Sequence, residues 1–321
     1  MTELTKIFED GHIDTGQYER IRESESNRLF SIHWELRTIL YLGVLLLSSG
    51  FGYLIYLNID TIGHQAILLG IAAVAALCFY YVWNHKLPYQ NQLIIHASPF
   101  FDYIILLGSL LFALFIGYFQ YQYEPFGSHY GFLVLIPTLL FFYCAYRFDH
   151  KGILSMAITG LAGSLGLSTS PRQILEDNDF SDLSVVFTAL LLGLALAAWA
   201  WYSDRRSIKK HFNFTFQNFS VNLLSIAALS ALFGQDLKVI SLAVLLVICL
   251  YFIRFALQQR SYLFFLLPIL YGYIGFTYFV FYLLSMTDMN EATFFVGLCY
   301  VIASAIGVIL LFLNLKKIIK K

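Results

Sequence analysis

Ten apolar stretches fill most of this chain between residues 37 and 313, and each is close to the length that crosses a bilayer. A hydrocarbon core of ~30 Å needs ~20 residues of helix. The stretches are continuous rather than alternating, which favours helices over the strands of a membrane barrel. The predicted spans are 37–57, 65–83, 100–119, 127–146, 152–167, 183–202, 219–233, 239–253, 262–284 and 292–313.

The composition agrees with a membrane protein. Hydrophobic residues make up 59% of the chain and charged residues 12%, against ~45–50% and ~25% in soluble domains. The fold class that the sequence predicts is therefore all-α, a polytopic membrane helical bundle of about ten transmembrane helices. The net charge is zero, so nothing indicates nucleic-acid binding.

Basic residues divide between the connecting loops by parity. All lysines and arginines except Arg172 and Lys238 fall in the N-terminal segment, the even-numbered loops or the C-terminal tail. Short loops rich in Lys and Arg stay in the cytoplasm. The pattern thus predicts that both termini are cytoplasmic. We expect membrane lipids as partners, with anionic headgroups bound by the basic runs at 205–210 and 316–321.

The chain has three predicted parts: a cytoplasmic helical hairpin at 1–36, a transmembrane domain at 37–315 and a basic cytoplasmic tail at 316–321. In the hairpin, Gly11 ends one short helix and Asp14 begins the next. Gln17 stands three residues after Asp14 and completes a capping-box pattern. Two short helices bury little surface, so we expect this hairpin to lean on the membrane domain or on a protein partner.

Two strings near the N-terminus carry a family resemblance. They are FEDGHIDTGQYERI at residues 8–21 and LYLGVLLLSSG at residues 40–50, the latter followed by Asn58-Ile59-Asp60. Together they resemble the opening of bacterial membrane proteins grouped as domain of unknown function 2157, over residues 5 to 85. The resemblance implies a multi-pass protein of the bacterial inner membrane, and it implies no particular activity.

Asp102 is the first candidate for a substrate-binding residue. An ionisable group at membrane depth is expensive and points to function. Asp102 follows Pro99-Phe-Phe and begins an apolar run, so it is also placed to interact with the dipole of its own helix. His96 lies just before this span and is a second candidate, since histidine exchanges protons near neutral pH.

The fourth loop concentrates polar residues in a short turn, with Arg147, Asp149, His150 and Lys151 in sequence. One interpretation is a local ion pair in a positive-inside turn. The other makes Arg147 and Asp149 substrate-binding candidates at a cytoplasmic gate, in which Asp102 pairs with Arg147 or Lys151.

Two prolines interrupt predicted spans, Pro137 in the fourth and Pro268 in the ninth. These positions correspond if the ten spans form two inverted sets of five. Interrupted helices in corresponding places indicate the binding site of a transporter, so both prolines are candidates. Proline is also common in transmembrane helices, and the sequence leaves the repeat open.

Three functions remain open at this point. We favour a transporter-like domain for an apolar or lipid-like solute. The alternatives are a membrane enzyme that acts on lipid or lipid-linked substrates, indicated by a clustered carboxylate and histidine, and a non-catalytic sensor or scaffold. Metalloprotease, serine-hydrolase and phosphate-loop motifs are absent, which favours a protein that is not an enzyme. The cysteines lie inside spans without metal-ligand spacing, so we expect no metal and no cofactor.

Overall fold

The structure is a computed structural model that describes residues 14, 16–19, 33–94, 99–170, 174, 180–287 and 291–320. These residues form helices and their connections, and no strand occurs among them. The long helices are α1 His33–Ile62, α2 His64–Asn84, α3 Pro99–Tyr123, α4 Tyr130–Phe148, α5 Lys151–Thr169, α6 Leu183–Arg206, α7 Asn213–Gly234, α8 Lys238–Gln259, α9 Tyr262–Ser285 and α10 Glu291–Lys320. A short 3-10 helix, Lys210–Phe212, joins α6 to α7.

Each of the ten predicted spans lies within or largely overlaps one of these helices. Within the described ranges, the nine helices α2 to α10 are long and apolar enough to cross a membrane, and α1 contains a shorter apolar stretch, Thr38–Leu54. The predicted all-α, polytopic fold is confirmed. The largest difference is in the seventh span, where 219–233 was predicted and α7 begins at Asn213.

The chain divides into two compact units, residues 1–57 and 58–321. In the first unit, the structure describes Asp14 and residues 16–19 of the predicted hairpin, and residues 16–19 are helical. The Asp14 backbone N–H donates to Gln17 Oε1 at 3.1 Å, which confirms the predicted capping contact. The rest of 1–32 and the side chains of the predicted basic tail, 316–321, lie outside the described residues.

In the second unit, α7 forms the centre of the packing and contacts α5, α6, α8 and α9. Its buried face includes Val221 and Leu224, which pack with Phe252 of α8 and with Phe264 and Phe265 of α9. The outer faces of the neighbouring helices carry exposed leucines and aromatics. Because such surfaces are stable only against hydrocarbon, the exposed faces are those of a membrane protein.

Small residues allow the helices to approach closely. A Cβ added to Gly193 of α6 would lie 2.6 Å from Leu224 Cγ of α7. At the same crossing, Ser220 Oγ donates to the Gly193 carbonyl at 2.8 Å. Between α4 and α5, Ser164 Oγ donates to the Gly131 carbonyl at 2.8 Å. Small residues and interhelical hydrogen bonds are the usual means by which helices associate in a membrane.

The two proline-bearing helices have different neighbours. The helix α4, with buried Pro137, packs mainly on α5, which follows it; α9, with buried Pro268, packs mainly on α8, which precedes it. In an inverted five-plus-five repeat the two helices would have matching neighbours. The packing of the described helices therefore does not follow that repeat.

Candidate functional site at the basic end of the bundle

Three of the even-numbered connections meet at one end of the bundle, which we call the basic end. They are the segment after α2, the turn between α4 and α5, and the link between α6 and α7. The backbone N–H of Lys209 donates to the Asn91 carbonyl at 3.2 Å, joining the first and third of these. The Ile94 N–H donates to Asp149 Oδ2 at 2.7 Å, joining the first and second.

Asp149 lies at the centre of this end, and its side chain is fully buried. Besides the Ile94 N–H, its carboxylate forms an ion pair with Lys209 Nζ at 3.4 Å. Its other oxygen contacts His211 Nε2. A buried carboxylate persists only when its charge is matched and its lone pairs accept hydrogen bonds. Both conditions are met here, by residues about sixty positions away in the sequence.

Asp149 reaches this place through the geometry of its turn. It ends α4 with φ +62°, a left-handed backbone conformation. The next residue, His150, caps α5, because its ring accepts a hydrogen bond from the Ile153 N–H at 3.1 Å. Asp is among the few residues that adopt the left-handed conformation at little cost. The result is a two-residue link that turns the Asp149 side chain inward.

Lys209 is the fully buried cation of the site. It also has a left-handed backbone, with φ +47°. Its Nζ lies 5.0 Å from the centre of the Tyr89 ring, which adds a cation–π contact. The expectation that the run 205–210 binds headgroups thus does not extend to Lys209, while Arg205, Arg206 and Lys210 are exposed and remain candidates for that contact.

Arg147 lies beside this cluster and does not take part in it. Its Nη1 donates to the Leu87 carbonyl at 3.0 Å, and its guanidinium lies 5.7 Å from the Phe148 ring. Next to Leu87, Lys86 places its Nζ 3.0 Å from the centre of the Trp83 ring. Arg147 and Lys86 therefore form a second, more accessible pair of charges at the same end.

Asp102 lies in the first turn of α3 and is half-buried. No hydrogen bond or ion pair to Asp102 occurs among the described residues, and in particular none to Arg147 or Lys151. His96 lies outside the described residues. The assignment of these two residues to a substrate site therefore stays a prediction.

A second polar cluster, which we call the midspan cluster, joins α7 and α9 near the middle of both helices. The Tyr271 hydroxyl donates to Asn222 Oδ1 at 2.6 Å. Asn222 Nδ2 in turn donates to the Asn218 carbonyl at 2.7 Å. One turn further along α7, Ser225 is fully buried and its Oγ finds no hydrogen-bond partner within the part of the chain that is described.

Pro268 lies three residues before Tyr271. It has no backbone N–H to donate, which interrupts the hydrogen bonding of α9 at this level. Its carbonyl accepts a hydrogen bond from Cys249 Sγ of α8 at 3.1 Å. Among the sequence candidates, Pro268 thus lies beside the midspan cluster, and Arg147 and Asp149 lie at the basic end.

Sequence reasoning missed Lys209 and His211 as the partners of Asp149. No local signal distinguishes Lys209 from the other cations of its run. It also missed Asn222 and Tyr271, although the polar pair Asn218 and Asn222 stands one turn apart in an apolar helix. That spacing is a usable signal, since polar residues at membrane depth are costly. Within the described ranges, no group of three or more His, Cys, Asp or Glu residues is placed to hold a metal ion.

Residues 6–154 match the model of a family described as "Predicted membrane protein (DUF2157)". The match confirms the resemblance found at the N-terminus. It extends beyond residue 85, through α3 and α4, to the turn that holds Arg147 and Asp149. No curated protein and no solved structure matches the chain.

Proposed function

We propose that this protein resides in the bacterial inner membrane, with its basic end and both termini in the cytoplasm, and moves an apolar or lipid-like solute. The orientation rests on the distribution of lysine and arginine, because basic loops are retained on the cytoplasmic side. The proposed location in the bacterial inner membrane rests on the family resemblance. The transport function rests on the midspan cluster.

The observation that carries the transport proposal is the hydrogen bond between Tyr271 and Asn222 beside Pro268. In transporters, solute sites lie near the midplane and are built on helices whose hydrogen bonding is interrupted. Here one interrupted helix, α9, meets two asparagines of α7 at that level. A buried Ser225 hydroxyl lies on the same stretch of α7.

The surroundings of the cluster define the kind of solute. Val221 and Leu224 of α7 and Phe252 of α8 are buried close by in the same packed core. A solute passing here would meet a few neutral hydrogen-bonding groups in a wall of hydrocarbon and aromatic rings. That combination suits an amphiphile with a small uncharged polar group and does not suit an ion, which needs charged or more numerous ligands.

A transbilayer assay tests the proposal. The purified chain is reconstituted into vesicles that contain an uncharged glycolipid with a nitrobenzoxadiazole label on one acyl chain. Dithionite, which does not enter vesicles, then bleaches the accessible label. We expect faster bleaching of the inner-leaflet label than in protein-free vesicles. Bleaching no faster than in protein-free vesicles would contradict transport of this lipid class.

Two variants connect that activity to the cluster. Asn222→Leu removes the acceptor of Tyr271, and we expect it to slow lipid movement at least tenfold. Asn314→Leu is the matched control: Asn314 lies near the end of α10, exposed, and bonds only the Leu310 carbonyl of its own helix among the described residues. It should leave the rate unchanged. Equal rates of lipid movement in both variants would show that the midspan cluster has no part in that movement.

A second candidate function is favoured by the contact between Asp149 and His211. A carboxylate that holds one nitrogen of a histidine orients the ring for proton transfer, as expected of an enzyme acting on lipid-linked substrates. The competing interpretation is structural, because Lys209 neutralises the same carboxylate. Incubation of the protein with a bacterial polar lipid extract, followed by mass spectrometry, tests it. Products that disappear in His211→Asn and persist in His129→Asn would favour the enzyme.

A further inference from the structure

Two cations, Lys86 and Arg147, lie close together at the basic end, and no acidic side chain among the described residues pairs with either. Lys86 follows the last turn of α2 and Arg147 lies in the last turn of α4. The Arg147 guanidinium is fixed next to Lys86 by its hydrogen bond to the Leu87 carbonyl, 3.0 Å long. Two like charges repel, so a negative group that contacts both cations would be attracted by both and would relieve their repulsion.

The obvious internal partner is already in use. Asp149 is only two residues from Arg147, but its carboxylate is occupied by the Ile94 N–H, Lys209 and His211. No carboxylate of any described residue forms an ion pair with Lys86 or Arg147. Within the described ranges, the basic end therefore keeps two positive charges without an acidic partner.

The environment of Lys86 makes this charge costly. Loss of water contact, and after it the neighbouring Arg147 charge, lower the pKa of the Lys86 ammonium from its ordinary value. Both effects disfavour the charged form. A negative group placed between the two cations would favour the charged form of Lys86 and offset the repulsion from Arg147. Lys86 itself is only partly buried, so such a group could reach it from outside.

The depth of the pair identifies the source of the negative group. Trp83 is exposed and stacks beneath Lys86, and exposed Tyr80 lies one turn further into the membrane span. On α4, exposed Tyr143 lies one turn inward from Arg147. Exposed aromatics of this kind mark the boundary between hydrocarbon and headgroups. The two cations lie just beyond this aromatic layer, at the level of lipid phosphates.

We propose that Lys86 and Arg147 bind the phosphate of an anionic membrane lipid at the basic end of the bundle. Arg147 offers a planar pair of N–H donors, and Lys86 adds a point charge. The acyl chains would lie along the exposed faces of α2 and α4, against Tyr80 and Tyr143. The site is independent of the transport proposal, since a bound lipid would stabilise the bundle whether or not any solute moves.

The test uses the full chain in a mild detergent. Thermal unfolding is followed with added phosphatidylglycerol, with phosphatidylcholine and with inorganic phosphate. A ligand that binds only the folded protein raises its unfolding temperature by mass action. We expect phosphatidylglycerol to raise the unfolding temperature and the other two to leave it unchanged. An equal rise with phosphatidylcholine or with inorganic phosphate would overturn the assignment to an anionic lipid.

Matched double variants locate the effect. Lys86→Gln/Arg147→Gln should lose most of the rise that phosphatidylglycerol gives the unaltered chain. Arg254→Gln/Arg260→Gln removes two other exposed cations, one near the end of α8 and one directly after it, and should keep it. If the first variant responds like the unaltered chain, the site is not at Lys86 and Arg147.

A measurement on the unaltered chain keeps the proposal falsifiable even if the first variant does not fold. Native mass spectrometry counts the phosphatidylglycerol molecules bound after equilibration at rising salt concentration. Because the site lies at the surface, salt should screen it and the bound lipid should fall. Lipid binding that does not change with salt concentration would contradict a site made of two partly exposed cations.

Discussion

The two ends of the α2–α10 bundle are held together by different chemistry. At the basic end, the charges of Asp149 and Lys209 are buried and paired. At the opposite end, the connections are joined by neutral or partly exposed hydrogen bonds. Gln120 donates to the Gly127 carbonyl at 2.9 Å and accepts from the Phe126 N–H at 3.1 Å. Gln235 Nε2 donates to the Ser181 carbonyl.

Because of this difference, a single substitution should affect stability differently at the two ends. Removing one member of a buried ion pair leaves the other charge in a poor solvent, which costs far more than the pair contributes. Removing a neutral hydrogen-bonding group leaves at most one or two unsatisfied groups, close to water. We therefore expect substitutions in the Asp149–Lys209 pair at the basic end to cost more stability than substitutions of the hydrogen-bonding residues at the opposite end.

The largest effect is expected from Lys209→Met. Methionine fills similar space without the charge, so Asp149 is left buried with only His211 and the Ile94 N–H. We expect the free energy of unfolding in micelles to fall by about 3–5 kcal/mol. Titration with a denaturing detergent measures it. Lys210→Met, the same change at the exposed neighbour, should lie within about 0.5 kcal/mol of the unaltered chain.

The double variant Asp149→Asn/Lys209→Met sharpens this result. Asparagine tolerates the left-handed backbone of Asp149 and removes its charge. We expect the double variant to be more stable than Lys209→Met alone, because no uncompensated charge remains. If the double variant loses as much stability as Asp149→Asn and Lys209→Met together, the two charges are not coupled. The contrast between the two ends would then disappear.

A smaller effect is expected at the opposite end from Gln120→Leu. Both hydrogen bonds of the side chain are lost, while Phe126 and Gly127 keep partial access to water. The cost should be about 1–3 kcal/mol. Gln122→Leu makes the same change two residues later, at a side chain with no hydrogen bond among the described residues, and should cost less. If Gln120→Leu lowers the free energy of unfolding as much as Lys209→Met does, the two ends are equally sensitive to substitution.

The smallest effect on stability is expected between the ends, at the midspan cluster. Tyr271→Phe removes one interhelical hydrogen bond, and such bonds contribute about 0.6 kcal/mol in membrane proteins. A double-mutant cycle with Asn222→Leu measures the coupling. A coupling of several kcal/mol would make the cluster a structural clamp like the basic end, which would weaken its assignment to a solute path.

The helices could be predicted because hydropathy reports on each segment alone. Each of the ten predicted spans coincides with a helix, and nine of these described helices are long and apolar enough to cross a membrane. A continuous apolar run can satisfy its backbone in hydrocarbon only as a helix. The early start of α7 was missed because Asn213, Gln217 and Asn218 lower the local hydropathy. Gln217 is nevertheless buried inside the bundle, where neighbouring helices replace lipid.

The candidate site could be predicted only in part. Asp149 and Arg147 stood out as a polar turn, but the partners of Asp149 come from residues 94, 209 and 211. Such pairings depend on how the helix ends meet, which no local pattern records. The parity of basic residues did place these loops on one side, and the contacts of Asp149 are consistent with that placement.

The central proposal is that the basic end lies in the cytoplasm and that the opposite end faces outward. Single cysteines at Ser207, in the link after α6, and at Ser128, in the link before α4, report on the two ends. Both residues are exposed. Intact cells are treated with a maleimide that does not cross the membrane, and the same cells are treated again after permeabilisation. We expect labelling at position 128 in intact cells and at position 207 only after permeabilisation. Labelling at 207 in intact cells, with none at 128, would contradict the account.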